Sequence, residues 1–112
     1  MTSVNGERLL ARDVGTLSLV PAEPVAGEPA TASTAMADVG GAEIGVWSIA
    51  AGVARDTEVD EVFVVLSGRA TITFEGGELL HVGPGSAVRL HAGERTTWQV
   101  HEQLRKLYVA LG

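Results

Sequence analysis

An all-β fold, a sandwich or small barrel, is what this sequence predicts, and three observations carry the prediction. Turn signals rich in glycine punctuate the chain from Gly40 onward, at roughly the eight-to-twelve-residue spacing of short-stranded β domains. Between them, segments such as Ala42–Ala50 and Ala70–Phe74 alternate in polarity, so that Ile44 and Val46 fall on one face and Trp47 and Ile49 on the other. The tetrapeptide Glu75-Gly76-Gly77-Glu78 reads as a two-residue Gly-Gly hairpin, a turn type that needs positive φ.

Taken in order, Leu9–Val20 reads as one or two short strands with Val14, Leu17 and Leu19 as core candidates. Pro21, Pro24 and Pro29 mark the next stretch as loop or edge backbone, because proline lacks a donor and fixes φ. Too little chain precedes it to form a domain, so it is expected to be an ordered arm over the body or over a neighbouring subunit. Ala30–Asp38 is expected to be extended, and Gly40-Gly41 turns the chain into Ala42–Ala50. Val62–Leu66 is continuously apolar, the pattern of a strand covered on both faces. After Gly68 come strands at Ala70–Phe74, Leu79–Val82 and Ala87–Leu90, separated by Gly83-Pro84-Gly85 and closed by a turn at His91–Glu94. Thr96–His101 and Leu104–Leu111 complete the set.

A chain of 112 residues is expected to make one domain and to bury roughly two thirds of its unfolded surface. Hydrophobic content of 46% against 20% charged is a globular balance. The formal charge of −6, without a local basic run, argues against nucleic acid as a partner, since phosphates are bound by Lys and Arg. With no cysteine, disulfides, thiolate catalysis and cysteine-ligated zinc are excluded. The N-terminal run MTSVNGERLLARDVG lacks the basic and apolar regions of a secretory signal. No segment approaches the ~20 apolar residues of a membrane span, so a cytoplasmic protein without membrane partners is the expectation.

Two stretches dominate the chemistry. Gly52–Gly68 (GVARDTEVDEVFVVLSG) places Glu61 at the mouth of an apolar run, with six residues before Gly68. Gly83–Val100 (GPGSAVRLHAGERTTWQV) has the complementary turn–strand–turn–strand layout and carries Trp98. Together they resemble the paired motifs of the cupin superfamily, whose RmlC-like fold is a jelly-roll barrel, or double-stranded β-helix. Gly45-Val46-Trp47, Val59-Asp60-Glu61-Val62-Phe63, Thr97-Trp98-Gln99-Val100 and Arg105-Lys106-Leu107-Tyr108 are similar to the branch related to ethanolamine-utilisation cupins and ureidoglycine aminohydrolase. Many members of that branch are bacterial and of unassigned function. The resemblance covers about residues 24–112, implying a single cupin domain there and an N-terminal arm or strands over residues 1–23. Ser86 departs from the usual acidic residue, and His91 from the usual proline.

The cupin motif implies histidine ligands that this chain does not supply. On the shorter motif spacing the two histidine positions fall on Arg55 and Thr57, on the longer on Ala54 and Asp56, and the second-motif histidine falls on Thr96. Glu61 alone keeps a ligand-competent side chain; arginine stays protonated and cannot ligate. His81, His91 and His101 lie outside the motif positions. No metal or other cofactor is therefore expected, the alternative being a divalent transition metal held at Glu61 by unusual donors.

An ionised carboxylate inside a barrel costs several kcal/mol unless it is paired. Arg55, of the same strand parity as Glu61, or Lys106 on the last strand is expected to supply the cation; as the alternative, Arg55 is a solvated loop residue. Trp47, Arg55, Thr57, Phe63, Thr96 and Trp98 are candidate ligand-binding residues, with the aromatics as pocket walls. Three functions follow. The leading one is binding of a small polar molecule without a His-ligated metal. The second is a cupin hydrolase or isomerase, with Glu61 as base and Lys106 or Tyr108 as acid or electrostatic partner. The third is a structural module whose barrel is filled by its own side chains. A homodimer is expected, since symmetric pairs are the commonest soluble oligomers, with the proline arm crossing between subunits.

Overall fold

The computed structural model describes residues 8–112, so residues 1–7 of the expected N-terminal arm lie outside the described part. The elements are β1 (Val20–Pro21), β2 (Thr31–Val39), β3 (Ala42–Ile49), β4 (Gly52–Thr57), β5 (Glu61–Phe74), β6 (Leu79–Val82), β7 (Ala87–Leu90) and β8 (Arg95–Ala110). Every strand pairing is antiparallel.

Two long strands, β5 and β8, run side by side through the whole molecule and bend together. Their first-order ladder is interrupted by register shifts between Val65 and Ala70. On one side of the bend, the N-terminal half of β5 pairs with β7 and the C-terminal half of β8 with β3, which continues into β2 and β1. On the other side, the C-terminal half of β5 pairs with β6, and the N-terminal half of β8 with β4. The two halves close over one core, where Phe63, Leu90 and Leu104 from one meet Ile72, Trp98 and Val100 from the other. Burying each large aliphatic or aromatic side chain there contributes about 1.5–3 kcal/mol. This is a jelly roll, with two sheets built from shared strands.

The bend depends on Gly68. Its φ is +87°, and a Cβ at this position would run into the carbonyl oxygen of Gln103 on β8. The strands also pass the bend differently. Residues 61, 63 and 65 of β5 face inward before it and 70, 72 and 74 after it, whereas β8 buries even-numbered residues on both sides.

Several elements differ from the sequence reading. Leu9–Leu19 forms no strand; Leu9 and Leu10 are exposed, and Val14, Leu17 and Leu19 are only half-buried. The segment is held instead by Arg105, which donates to the carbonyls of Val14 and Leu17 at 2.9 Å each. The two segments on either side of Gly68 are one strand, as are those on either side of Glu102-Gln103, because each ladder resumes across the bend. Val62–Leu66 is not covered on both faces: Val62 and Val64 are 45% and 36% exposed. The 75–78 connection is not a two-residue hairpin. Gly77 N–H bonds to Phe74 O and Phe74 N–H to Glu78 O, leaving three loop residues, of which only Gly77 has positive φ.

Candidate functional site

A cavity of about 690 Å³ opens at one end of the barrel. Its walls include Trp47 and Ile49 of β3, Ala54 of β4, Glu61 of β5, and Trp98, Lys106 and Tyr108 of β8. The rim is the proline segment, Pro21 to Ala30, joined to β2 by the bond from Ala22 N–H to Thr31 O.

Register explains why these residues converge. On β8, Lys106 lies between Trp47 of β3 and Val65 of β5, and Tyr108 lies between Gly45 and Phe63. All face inward, so the lysine stem is packed in the core and its ammonium reaches the cavity. Lys106 Nζ donates to Glu61 Oε2 at 2.6 Å, and the two side chains are 8% and 10% exposed. The same ammonium stands 4.4 Å from the Phe63 ring centroid, 4.6 Å from that of Trp47 and 5.2 Å from that of Trp98. All three distances lie within cation–π reach. The rings support one another: Trp47 and Trp98 meet edge to face at 5.8 Å, and Phe63 tilts against Trp98 at 5.6 Å.

Beside the ion pair is a second buried acid. Glu58, 7% exposed, accepts hydrogen bonds on Oε2 from Thr96 Oγ1 at 2.6 Å and Trp98 Nε1 at 3.1 Å. Its backbone is clamped by the turn before β8, through Glu58 N–H to Glu94 O and Gly93 N–H to Glu58 O. Burial raises its carboxyl above the ordinary value of 4.5; the bonds from Thr96 and Trp98 act in the opposite direction, Asp56 adds to the rise and Lys106 opposes it. Tyr108 donates its hydroxyl to Glu43 Oε2 at 2.6 Å. Burial and the Glu43 carboxylate push the phenol up to about 12, so it stays protonated across the neutral range. Gly45 makes this packing possible, since a Cβ there would lie 2.6 Å from the Tyr108 hydroxyl oxygen.

The ion pair expected for Glu61 is made by Lys106 and not by Arg55. The shared-parity argument for Arg55 fails because β4 ends at Thr57, and Glu58–Asp60 is not strand, so alternation does not carry across to Glu61. On β4, the positions on the face of Trp98 and Thr96 are Ala54, half-buried, and Asp56, exposed. Arg55 and Thr57 are exposed and reach only the cavity margin. Phe63 and Thr96 also stand apart from the lining, Phe63 under the lysine ammonium and Thr96 behind Glu58. Trp47, Trp98, Glu61, Lys106 and Tyr108 do line the cavity. Glu58 is hidden in the sequence within a charged run. The available signal was Trp98: a buried indole N–H needs an acceptor.

The donors do not fit the transition metal that the cupin motif implies. The motif positions on that face hold Ala54, the exposed Asp56 and Thr96, the threonine hydroxyl is spent on Glu58, and Glu61 is engaged by an ammonium. Among the described residues no three His, Cys, Asp or Glu side chains are grouped to hold an ion. His81 and His101 instead meet Thr71 Oγ1 at 3.1 and 2.8 Å in exposed contacts, and His91 lies 3.4 Å from Glu94.

Jelly-roll topology with a pocket in the mouth of the barrel is an architecture that cupins share with other jelly-roll proteins. A family model for the EutQ-like cupin domain matches residues 36–108, and the chain belongs to that family. Among solved structures it is similar to a protein of unknown function from Rhizobium leguminosarum bv. viciae 3841, at 31% identity and a TM-score of 0.66, over 71% of this chain and 79% of that one. It shares the fold of the Clostridium difficile EutQ protein, at 14% identity and a TM-score of 0.74, over 87% and 82% of the two chains. It also shares that of a putative ethanolamine utilization protein Q from Salmonella typhimurium LT2, at 17% and 0.65, over 83% and 93%. No curated protein matches the chain. No helix among the described residues is long and apolar enough to cross a membrane.

Proposed function

We propose that this cupin binds a small polar molecule in the mouth of its barrel without a transition metal, using the Lys106–Glu61 pair and Glu58 as the polar floor of the pocket. The observation that carries the reading is the convergence of three ionisable side chains, each under a tenth exposed, on a cavity of ligand size. A barrel filled by its own side chains would leave no such space. The intramolecular ammonium occupies the role a metal ion plays for an interior carboxylate, compensating its charge.

A thermal-shift screen of small acids, amines, amides and ureides tests this. A ligand present at a hundred times its Kd adds about 2.7 kcal/mol of stability. Silence across the screen, or near-stoichiometric Mn, Fe, Ni or Zn by elemental analysis of protein purified without added metal, would overturn the reading.

One observation favours acid–base chemistry as a second reading. Glu58 has a raised pKa and no contacting cation among the described residues, so in a metal-free hydrolase or isomerase Glu58 would be the proton acceptor. Glu58→Gln would then remove turnover even at ligand concentrations that saturate the site. A homodimer forms part of the proposal. The arm is bonded to its own chain, and the uncovered face is the outer surface of β5 and β8, where Val62, Val64 and Val109 are exposed.

A further inference from the structure

The charges around the cavity are unbalanced. At its rim stand Glu23, Glu28 and Asp56, with Arg55 as the cation beside them. On its floor are Glu58, Glu61 and Lys106. Lys106 is already committed, at 2.6 Å, to Glu61. Glu58 has no cation within salt-bridge distance among the described residues.

The buried acids are also only half used. Glu58 receives both of its hydrogen bonds on Oε2, and Glu61 receives its bond from Lys106 on Oε2. Neither Oε1 accepts a hydrogen bond among the described residues. No fully buried side-chain nitrogen or oxygen lacks a partner there. The two free oxygens therefore keep some accessible surface, and both residues line the cavity. Each is an acceptor in need of a donor, set in a site of low polarity where a charge-assisted bond is strong.

We infer that the ligand is a small organic ammonium ion that still carries N–H groups, donated to the free oxygens of Glu58 and Glu61. The inference rests on the pocket reading above and gives it a ligand class. A carboxylate ligand would meet two buried carboxylates, with only an ammonium already paired to attract it. A quaternary ammonium has no donor for these oxygens, and Lys106 already occupies the aromatic faces that would otherwise hold it.

Benzylammonium, benzamide, benzoate and benzyltrimethylammonium share a ring and differ in charge and donors, so calorimetric titration with these four is the test. Benzylammonium is expected to bind at least about tenfold more tightly than each of the others, the gap between an ionic and a neutral hydrogen bond. Glu58→Gln is expected to weaken benzylammonium by about tenfold and leave benzamide unchanged. Wild-type protein supplies a readout that needs no variant. Benzylammonium and benzoate both keep their charge between about pH 8 and about pH 5, and any protonation of Glu58 on lowering the pH should erode the benzylammonium preference. Thr96, Trp98 and Lys106 of β8, Asp56 of β4 and Glu61 of β5 are the groups facing that titration.

Equal or tighter binding of benzoate, benzamide or benzyltrimethylammonium overturns the ammonium assignment and leaves the pocket reading standing. So does an unchanged benzylammonium affinity in Glu58→Gln. If none of the four binds, the hits of the wider screen decide: amines among them sustain the inference, and acids or amides alone overturn it. A silent screen removes the pocket reading, and this inference with it.

Discussion

Lys106 joins two environments that are usually kept apart, an aromatic cage and a buried carboxylate, and its loss should separate their contributions. Lys106→Met leaves Glu61 buried without a counter-charge, for which a cost of about 3–5 kcal/mol is expected in urea unfolding. Adding Glu61→Gln should recover most of that cost, because no isolated charge then remains. A single-variant loss below about 1 kcal/mol would mean that the pair behaves like a surface ion pair. Glu58 is expected to act in the opposite sense. Its folded pKa is raised, so the folded state retains this proton to higher pH than the unfolded chain. The stability it contributes is therefore full below about pH 4.5 and is lost as pH rises through its raised value. Glu58→Gln keeps an acceptor for Thr96 and Trp98 but does not titrate. It should raise the Tm at about pH 8 and change it little at about pH 4.5, flattening the profile. A lower Tm at pH 8 than wild type would contradict this account. Glu61 could be read from sequence because motif spacing picks it out, and Lys106 entered as an alternative cation because it lies on the last strand. Glu58 could not, because a carboxylate beside Arg55, Asp56 and Thr57 looks the same whether it is solvated or folded under a tryptophan.

Elements were legible wherever glycine or alternation marked them. The turns at Gly40-Gly41, Gly83–Gly85 and His91–Glu94 all separate strands as expected. What local pattern could not show is continuity. Gly68 and the polar pair Glu102-Gln103 look like breaks, yet β5 and β8 bend there and resume pairing, because each is the other's ladder partner. The same limit undid the parity argument for Arg55, where the chain does break. The bend makes a prediction that distinguishes two glycines. Gly68→Ala places a side chain at positive φ against backbone and should cost about 3 kcal/mol or more by chemical denaturation. Gly76→Ala, in open space without positive φ, should cost under about 1 kcal/mol. Similar costs at the two sites would show that the bend does not depend on Gly68.

At the scale of the whole molecule, the apolar run Val62–Leu66 was read correctly as strand and incorrectly as doubly covered. Its inward residues fill the core. Its outward ones, Val62 and Val64, lie beside Val109 and Leu107 on β8, on a face that no element among the described residues covers. A second copy of the chain is the occupant proposed for that face. Sedimentation at micromolar concentration is expected to give a dimer for wild type and a monomer for Val64→Asp, with unchanged circular dichroism. A wild-type monomer would remove the proposal and leave the pocket untouched. The fold class was legible because turns and alternation are local. The cavity's shape was not, since it arises only when β4 of one half and the proline segment of the other close over Glu58, Glu61 and Lys106.

Alternation through the bend also constrains how such a chain can change over generations. In β8, Trp98 and Lys106 stay on the same side because the stretch between them spans an even number of steps. Losing or gaining a single residue at Glu102 or Gln103 would rotate the lysine and Tyr108 out to solvent and leave the tryptophan inside, splitting the pocket into halves that no longer correspond. Length variation there is tolerable in pairs, or not at all.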